Sequence, residues 1–534
     1  MSGVGRASVL IGAGTIVSRL TGFVRNVLLV AVVGSVASRA GDAFGAANQL
    51  PNNIYAIIST GVLTAVIVPQ IVKAASHEDG GRAFISKLFT LGTVVLLAAT
   101  ALALAVAPWL IALYAPDYTA EQTALATAFA YWCLPQVFFY GLYALLGETF
   151  NARRLFGPYT WAPIVNNLVS IAGFIVFLAV FGGPTTDVSV WTPGMVALLG
   201  GTATLGIVVQ AGVLLVYWRR VGLKLRPDFR WRGVGLDHIG RLAGWTFLMV
   251  VGGQLAGLVQ SRVLSGASGD GPAILSSQNA WLLFMLPYSI IVLSIGTPYF
   301  TRLSEHAAAG RDDDVRADIA RSIRMLGLFI VIATAALAVA AVPASRIFTD
   351  SAGEALAAAP VLLCFLVGLI PLAVLFVIQR TFYAYNDTRT PFLFTILQCG
   401  LVAATALLAG AVVSRDQLAA GVALGQSLSS VVQVVVATAL LHRRLGGIGV
   451  ASWLPALGRF ALAAVPAAAA GWGVLLLLGG PTGWTGSSVV AGAVGAAIVG
   501  TVCIAVYGGV LALIRAPELS PALAMLRRRG RRGD

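Results

Sequence analysis

The chain has 534 residues, of which 58% are hydrophobic and only 10% charged, and its mean hydropathy is +0.88. That composition belongs to polytopic membrane proteins and excludes a soluble enzyme. The formal net charge of +14 is scattered among short loops rather than gathered on one basic face with base-stacking aromatics, which excludes a nucleic-acid partner.

Crossing the hydrocarbon takes roughly 20 apolar residues, and about fourteen segments qualify. They begin near residues 8, 42, 84, 120, 159, 193, 236, 272, 314, 352, 390, 415, 451 and 484. The start Met-Ser-Gly-Val-Gly-Arg has no small-residue cleavage site, so the first segment reads as an uncleaved span.

That first segment runs from Ser8 to Val33 and contains Arg19 and Arg25. A fixed cation at membrane depth costs roughly 2.5–3.5 kcal/mol and survives where it faces water, a protein cavity or an anion. Arg19 lies about 16 Å from the start of the segment at 1.5 Å per residue, too deep to snorkel to an interface with ease. Two such cations point to an anionic cargo. The plainer alternative is that one marks a helix end and the other caps a neighbour's carbonyls.

The second segment opens at Asp42 and carries Leu50-Pro51-Asn52-Asn53. Later segments such as Phe84 to Ala115 and Ala352 to Tyr385 exceed the minimum length, which implies tilt, kinks or extension beyond the lipid. Prolines 51, 69, 135, 287 and 371 supply kinks, and the 60 glycines suit helices packed through small residues.

Lys and Arg collect in alternate turns, which sets orientation. One set carries Lys73 and Arg82, then Arg153 and Arg154, then Arg219, Arg220, Lys224, Arg226, Arg230 and Arg232. The same set continues with Arg302, Arg311 and Arg316, then Arg389, then Arg443 and Arg444. The other turns hold Asp117, Asp187, Asp270, Asp350 and Glu354, with Arg39, Arg346 and Arg415 as exceptions. Both termini are therefore expected in the cytoplasm of a plasma-membrane protein, and the run Arg527 to Arg532 is expected to hold anionic lipid.

Cys133, Cys364, Cys399 and Cys503 fall in apolar runs without a Cys-x-x-Cys spacing and read as small core residues. His77, His238, His306 and His442 each neighbour a basic loop and read as solvated interface positions, so no metal site is expected. No Gly-x4-Gly-Lys-Ser/Thr loop is present and no cofactor is expected; the chain reads as neither an ATPase nor an enzyme.

An internal repeat is visible by eye. Leu50-Pro51-Asn-Asn-Ile54 recurs as Leu286-Pro287-Tyr-Ser-Ile290, and Thr149-Phe150-Asn-Ala152 recurs as Thr381-Phe382-Tyr-Ala384. Six spans fit one repeat, so both halves share an orientation and a pseudo-two-fold along the membrane normal. The expected architecture is all-α, with two six-helix bundles around a central cavity plus two C-terminal helices. The corresponding divisions are a lobe over 1–221, a basic linker over 222–235, a lobe over 236–446, two further helices over 447–516 and a basic tail over 517–534.

The residues Ser18-Arg19-Leu-Thr-Gly22-Phe23-Val-Arg25, Gly41-Asp42-Ala43-Phe44 and Leu50-Pro51-Asn52 resemble the N-terminal signature of the MurJ/MviN family. These are lipid II flippases of the multidrug/oligosaccharidyl-lipid/polysaccharide exporter superfamily. Gly61 through Val68-Pro69, Leu134-Pro135 through Gly147, Asn151 with Phe156, Pro158 and Pro163, and Asp387 through Thr390-Pro391 extend the similarity over roughly the first 400 residues. The resemblance implies export of the undecaprenyl-diphosphate-linked peptidoglycan precursor by alternating access, with Ser18, Arg19, Arg25, Asp42 and Asn52 as candidate cargo residues. It also implies membrane lipids and cell-wall synthesis proteins as candidate partners.

Two positions where the family usually carries an arginine are Tyr55 and Leu282 here, and an acidic position is Thr60. Asn52, Asn53 and the run Ser276-Ser-Gln-Asn279 are polar groups that can compensate or can simply join helices. Two other readings stay open: a cation-coupled exporter of drugs or another lipid-linked glycan, and a membrane scaffold in cell-wall assembly.

Overall fold

A computed structural model of the chain describes residues 3–60, 82–153, 155–222, 226–229 and 240–519. Lys73, His77, Arg154, Lys224, Arg230, Arg232, His238, the Gly61 to Pro69 match and the run Arg527 to Arg532 lie outside the described residues. The described residues contain helices and no strand, in two compact units, Met1–Gly269 and Asp270–Asp534.

Unit 1 comprises α1 (Gly3–Val33), α2 (Arg39–Ile58), α3 (Arg82–Ala105), α4 (Ala107–Tyr114), α5 (Ala120–Cys133), α6 (Gln136–Ala152), α7 (Phe156–Phe181), α8 (Pro193–Tyr217) and α9 (Gly240–Ser265). Starts are fixed by side chains that satisfy the first free N–H groups. Ser38 Oγ accepts from Gly41 N at 2.9 Å, and Thr119 Oγ1 accepts from Gln122 N at 3.2 Å. Pro135 separates α5 from α6, and Pro51 lies within α2. The closest packing runs from α1 to α7 to α8 and from α2 to α5.

The sequence division places α9 at the start of the second lobe, yet it packs in unit 1 against α2 and α4. Polar ties explain this. Arg262 Nη1 donates to Leu113 O at 3.0 Å, and Ser265 Oγ donates to Asp117 Oδ2 at 3.3 Å.

Unit 2 comprises α10 (Ile274–Pro287), a π-helical turn over Tyr288–Val292, α11 (Leu293–Ala308), α12 (Asp312–Val339), α13 (Ala341–Arg346), α14 (Ala352–Leu366), α15 (Leu369–Ala384), α16 (Arg389–Val412), α17 (Leu418–Leu445), α18 (Val450–Leu477) and α19 (Val489–Leu513). Here α12 packs on α18, α16 on α17, and α18 on α19. The π turn follows Pro287 directly, whereas in unit 1 the α-helix runs through Pro51 to Ile58 before residues 59–60 turn π-helical, so the two turns are not at equivalent positions. The second echo is reproduced within each unit. Thr149 and Thr381 are fully buried, and each hydroxyl bonds the carbonyl four residues back, Leu145 O at 3.0 Å and Val377 O at 2.9 Å.

Twelve helices among the described residues are long and apolar enough to cross a membrane. The first two of the fourteen expected spans begin in α1 and α2, which are helical and lie outside that twelve. Cys133, Cys399 and Cys503 are buried and all four cysteines are free. His442 is exposed as expected, but His306 is not simply solvated, because its Nδ1 lies 3.1 Å from Oδ2 of the buried Asp318. The arginines on the charge-poor side are engaged: Arg346 is buried and donates to the carbonyls of Gly486 and Thr349, and Arg415 pairs with Asp270 at 3.0 Å.

Candidate functional site

Arg19 and Arg25 are six residues apart on one helix, so their directions differ by about 120° and their depths by about 9 Å. They do not share a face. Ser18, Thr21, Gly22 and Arg25 recur at intervals of three and four and form one stripe. Asn167 on α7 fixes that stripe: its Nδ2 donates to Ser18 O at 3.0 Å and to Thr21 Oγ1 at 3.0 Å. A side chain at Gly22 would meet the same Nδ2 at 3.4 Å. Ser18 therefore contributes to the site through its main chain, setting the rotation of α1.

With α1 so fixed, Arg25 is half-buried beside Asn26, whose Oδ1 accepts from Nη2 at 3.4 Å, and within electrostatic reach of Tyr140 on α6. Tyr140 leads into a row of phenols. Its ring lies 5.6 Å from that of Tyr55, and Tyr143 stacks on Tyr159 at 5.2 Å while donating to Tyr159 O at 2.8 Å. Half-buried Glu148 lies within electrostatic reach of Tyr55 and Tyr159. Thus Tyr55, at a position where the family resemblance implies a cation, joins an aromatic row that ends at Arg25. Phenols offer single hydrogen bonds and flat faces, which suit neutral polar groups such as sugars.

Arg19 is half-buried and has no hydrogen-bond or ion-pair partner among the described residues. Counting from the α1–α2 turn, Arg19 lies about 21 Å back along α1 and Asn52 about 20 Å forward along α2. They share a depth. Asn52 is exposed and likewise unpartnered among the described residues, whereas Asn53 Nδ2 is taken up by Tyr114 Oη at 3.3 Å.

Asp42 lies apart from this group. It sits in the first turn of α2, about 15 Å along the helix from Asn52. It is 1% exposed, and its Oδ2 accepts from Ser268 Oγ at 2.7 Å. Gln122 Nε2 donates to Ser268 Oγ at 2.8 Å and to Arg39 O at 3.0 Å. Asp42 thus staples α2, α5 and the segment after α9 within unit 1.

In unit 2, Ser276, Ser277 and Asn279 are buried, and Ser276, Gln278 and Asn279 all have bonding partners, which fits the helix-joining reading. Leu282 is half-buried. Arg380 is half-buried with its guanidinium 5.0 Å from the Phe300 ring and 5.3 Å from Phe376. No group of three His, Cys, Asp or Glu side chains able to hold a metal occurs among the described residues.

The sequence profile of the family described as lipid II flippase MurJ matches residues 33–492. The chain belongs to the MurJ family. A probable lipid II flippase MurJ of Rhizobium tropici is 25% identical over 451 residues, covering 82% of this chain and 80% of that protein. The lipid II flippase MurJ of Burkholderia cenocepacia is 24% identical over 399 residues, covering 72% and 74%. Among solved structures, a lipid II flippase MurJ in an inward closed conformation aligns with a TM-score of 0.69 at 18% identity, over 92% of this chain and 98% of that one. An inward-facing MATE-family multidrug resistance transporter of the MOP superfamily aligns with a TM-score of 0.59 at 14% identity, over 82% and 98%. At these identities the structural likeness establishes the fold. This MurJ-family chain is a multi-pass protein of the cell membrane.

Proposed function

We propose that this MurJ-family chain flips lipid II, the undecaprenyl-diphosphate-linked peptidoglycan precursor, from the inner to the outer leaflet. Arg19 and Arg25 hold the diphosphate, and Asn52 with the Tyr55–Tyr140 row contacts the glycan. The observation that carries the reading is Arg19: a half-buried guanidinium within a largely apolar helix and without a partner among the described residues, as is Asn52 on α2. Such a cation wants an anion, and arginine's planar fork binds phosphate oxygens in pairs while staying ionised.

The sequence pattern of Lys and Arg supports placing the basic turns and both termini in the cytoplasm. Outward passage with about two phosphate charges against two arginines is near electroneutral, and the empty return carries two cations inward. An inside-negative potential favours that return by about 2.3 kcal/mol per charge per 100 mV for a full crossing. Complementing a flippase-depleted strain with this chain tests the reading: wild type restores outer-leaflet lipid II, and Arg19→Ala/Arg25→Ala does not.

A cation-coupled drug exporter would need free carboxylates inside the membrane. Asp42 is bound to Ser268 and Asp387 to Arg444, which leaves Glu148 as its principal candidate. A scaffold would tolerate loss of both arginines and a drug exporter would depend instead on Glu148, so assaying Glu148→Gln beside the arginine variant separates the three readings.

A further inference from the structure

A second cluster of arginines lies in unit 2, at the end bearing the basic turns. Arg302 from α11 and Arg321 and Arg324 from α12 line a cleft of about 440 Å³, floored by the buried Tyr299 and closed on one side by Pro517 and Glu518. Three arginines and one carboxylate line it, and two of these four groups are paired with residues behind the lining. Arg302 Nη2 bonds Asp318 Oδ1 at 3.0 Å, and Arg459 Nη2 bonds Glu518 Oε2 at 2.7 Å. Those two pairs cancel. Arg321 and Arg324 have no carboxylate or hydrogen-bond partner among the described residues, so the cleft retains two uncompensated positive charges.

We infer that this cleft binds a phosphate group, separately from the α1 arginines and independently of the flippase reading. Three features favour phosphate over a simple carboxylate. The donors come from two helices and converge, the surplus is about two charges, and guanidinium forks match tetrahedral oxygens. Arg302 makes a single bond to Asp318, through Nη2 to Oδ1, so its other N–H groups remain available to the cleft.

The depth of the cleft suits a headgroup. All charged residues of α12 lie between Asp312 and Arg324, and Met325 to Val339 contains none. Arg324 therefore marks the edge of the hydrocarbon, the level at which lipid phosphates sit. The same chemistry would also accept a soluble diphosphate from the aqueous side.

The full-length protein, purified in neutral detergent, is equilibrated with mixed micelles of phosphatidic acid and phosphatidylcholine, and bound lipid is counted by native mass spectrometry. Arg321→Gln/Arg324→Gln is expected to lower bound phosphatidic acid about tenfold. Arg219→Gln/Arg220→Gln, which removes the same charge elsewhere, is expected to leave it within about twofold. In a parallel arm, inorganic pyrophosphate is added and melting is followed. If it stabilises wild type but not the double variant and displaces the lipid, the phosphate comes from solution. If it is inert while the lipid loss holds, the phosphate is a headgroup. Equal lipid retention and equal pyrophosphate response in wild type and double variant would overturn the proposal. Should the double variant fail to fold, Arg321→Gln alone, at an exposed position, is read against the same criteria.

Discussion

Arg25 keeps its place in an apolar helix because Asn167 fixes the rotation of α1 and the phenols of α6 provide a polar lining on the side it faces. Arg25→Lys preserves the charge but loses the fork, and transport of lipid II is expected to fall about tenfold while membrane insertion is unchanged. Asn167→Ala removes two helix-joining bonds worth about 0.6 kcal/mol each on average, so a thermal melt in detergent should show a loss on the order of 1 kcal/mol. Wild-type stability in that variant would show that the two bonds do not hold α1. Arg19, Arg25 and Asn52 are legible in the sequence because charge and amide groups stand out against apolar neighbours. Tyr140, Tyr143 and Tyr159 are not, because a tyrosine within an apolar run reads as ordinary filling until its neighbours are known. Asp42 was legible as important, but its partner Ser268 lies 226 residues away, and no local pattern announces that pairing.

The elements are joined by close contacts that a single methyl group disturbs. A side chain at Gly147 would approach Tyr159 Cε2 to 2.2 Å, and Tyr159 is pinned by its stack on Tyr143. Gly147→Ala should therefore push α6 from α7 and destabilise unit 1 by about 1–3 kcal/mol, seen as a lower melting temperature. At the start of α16, Asp387 accepts from Thr390 N at 2.9 Å and from Thr390 Oγ1 at 2.8 Å and pairs with Arg444. Partial burial works against the charged form, but these bonds outweigh it and hold the carboxyl below its ordinary value. A lowered folded-state value means the stabilisation is complete above the unfolded value near 4 and is lost as pH falls through the folded one. Asp387→Asn should accordingly lower the melting temperature at pH 7 and narrow the gap to wild type as the pH drops below about 4. Span starts were readable from apolar runs, and the repeat from Leu-Pro and Thr-Phe pairs. The π turn after Pro287 was not, since a proline announces a bend without specifying how the freed carbonyls are absorbed.

For the whole molecule, composition alone decides the class: a chain this apolar must satisfy its backbone within helices, and family membership follows from residues spread over most of its length. The grouping of α9 with unit 1 was hidden from sequence, because hydropathy counts spans without saying which neighbours they touch. If the empty carrier returns with two uncompensated arginines, turnover in proteoliposomes should rise with an inside-negative potential and need no ion gradient. Turnover that ignores the potential and requires such a gradient would exclude that cycle. The most direct test of the account is outer-leaflet lipid II in a depleted strain carrying wild type, Arg19→Ala or Arg25→Ala. The account predicts restoration by wild type and loss in each variant at equal membrane abundance. Full restoration by either variant would contradict it.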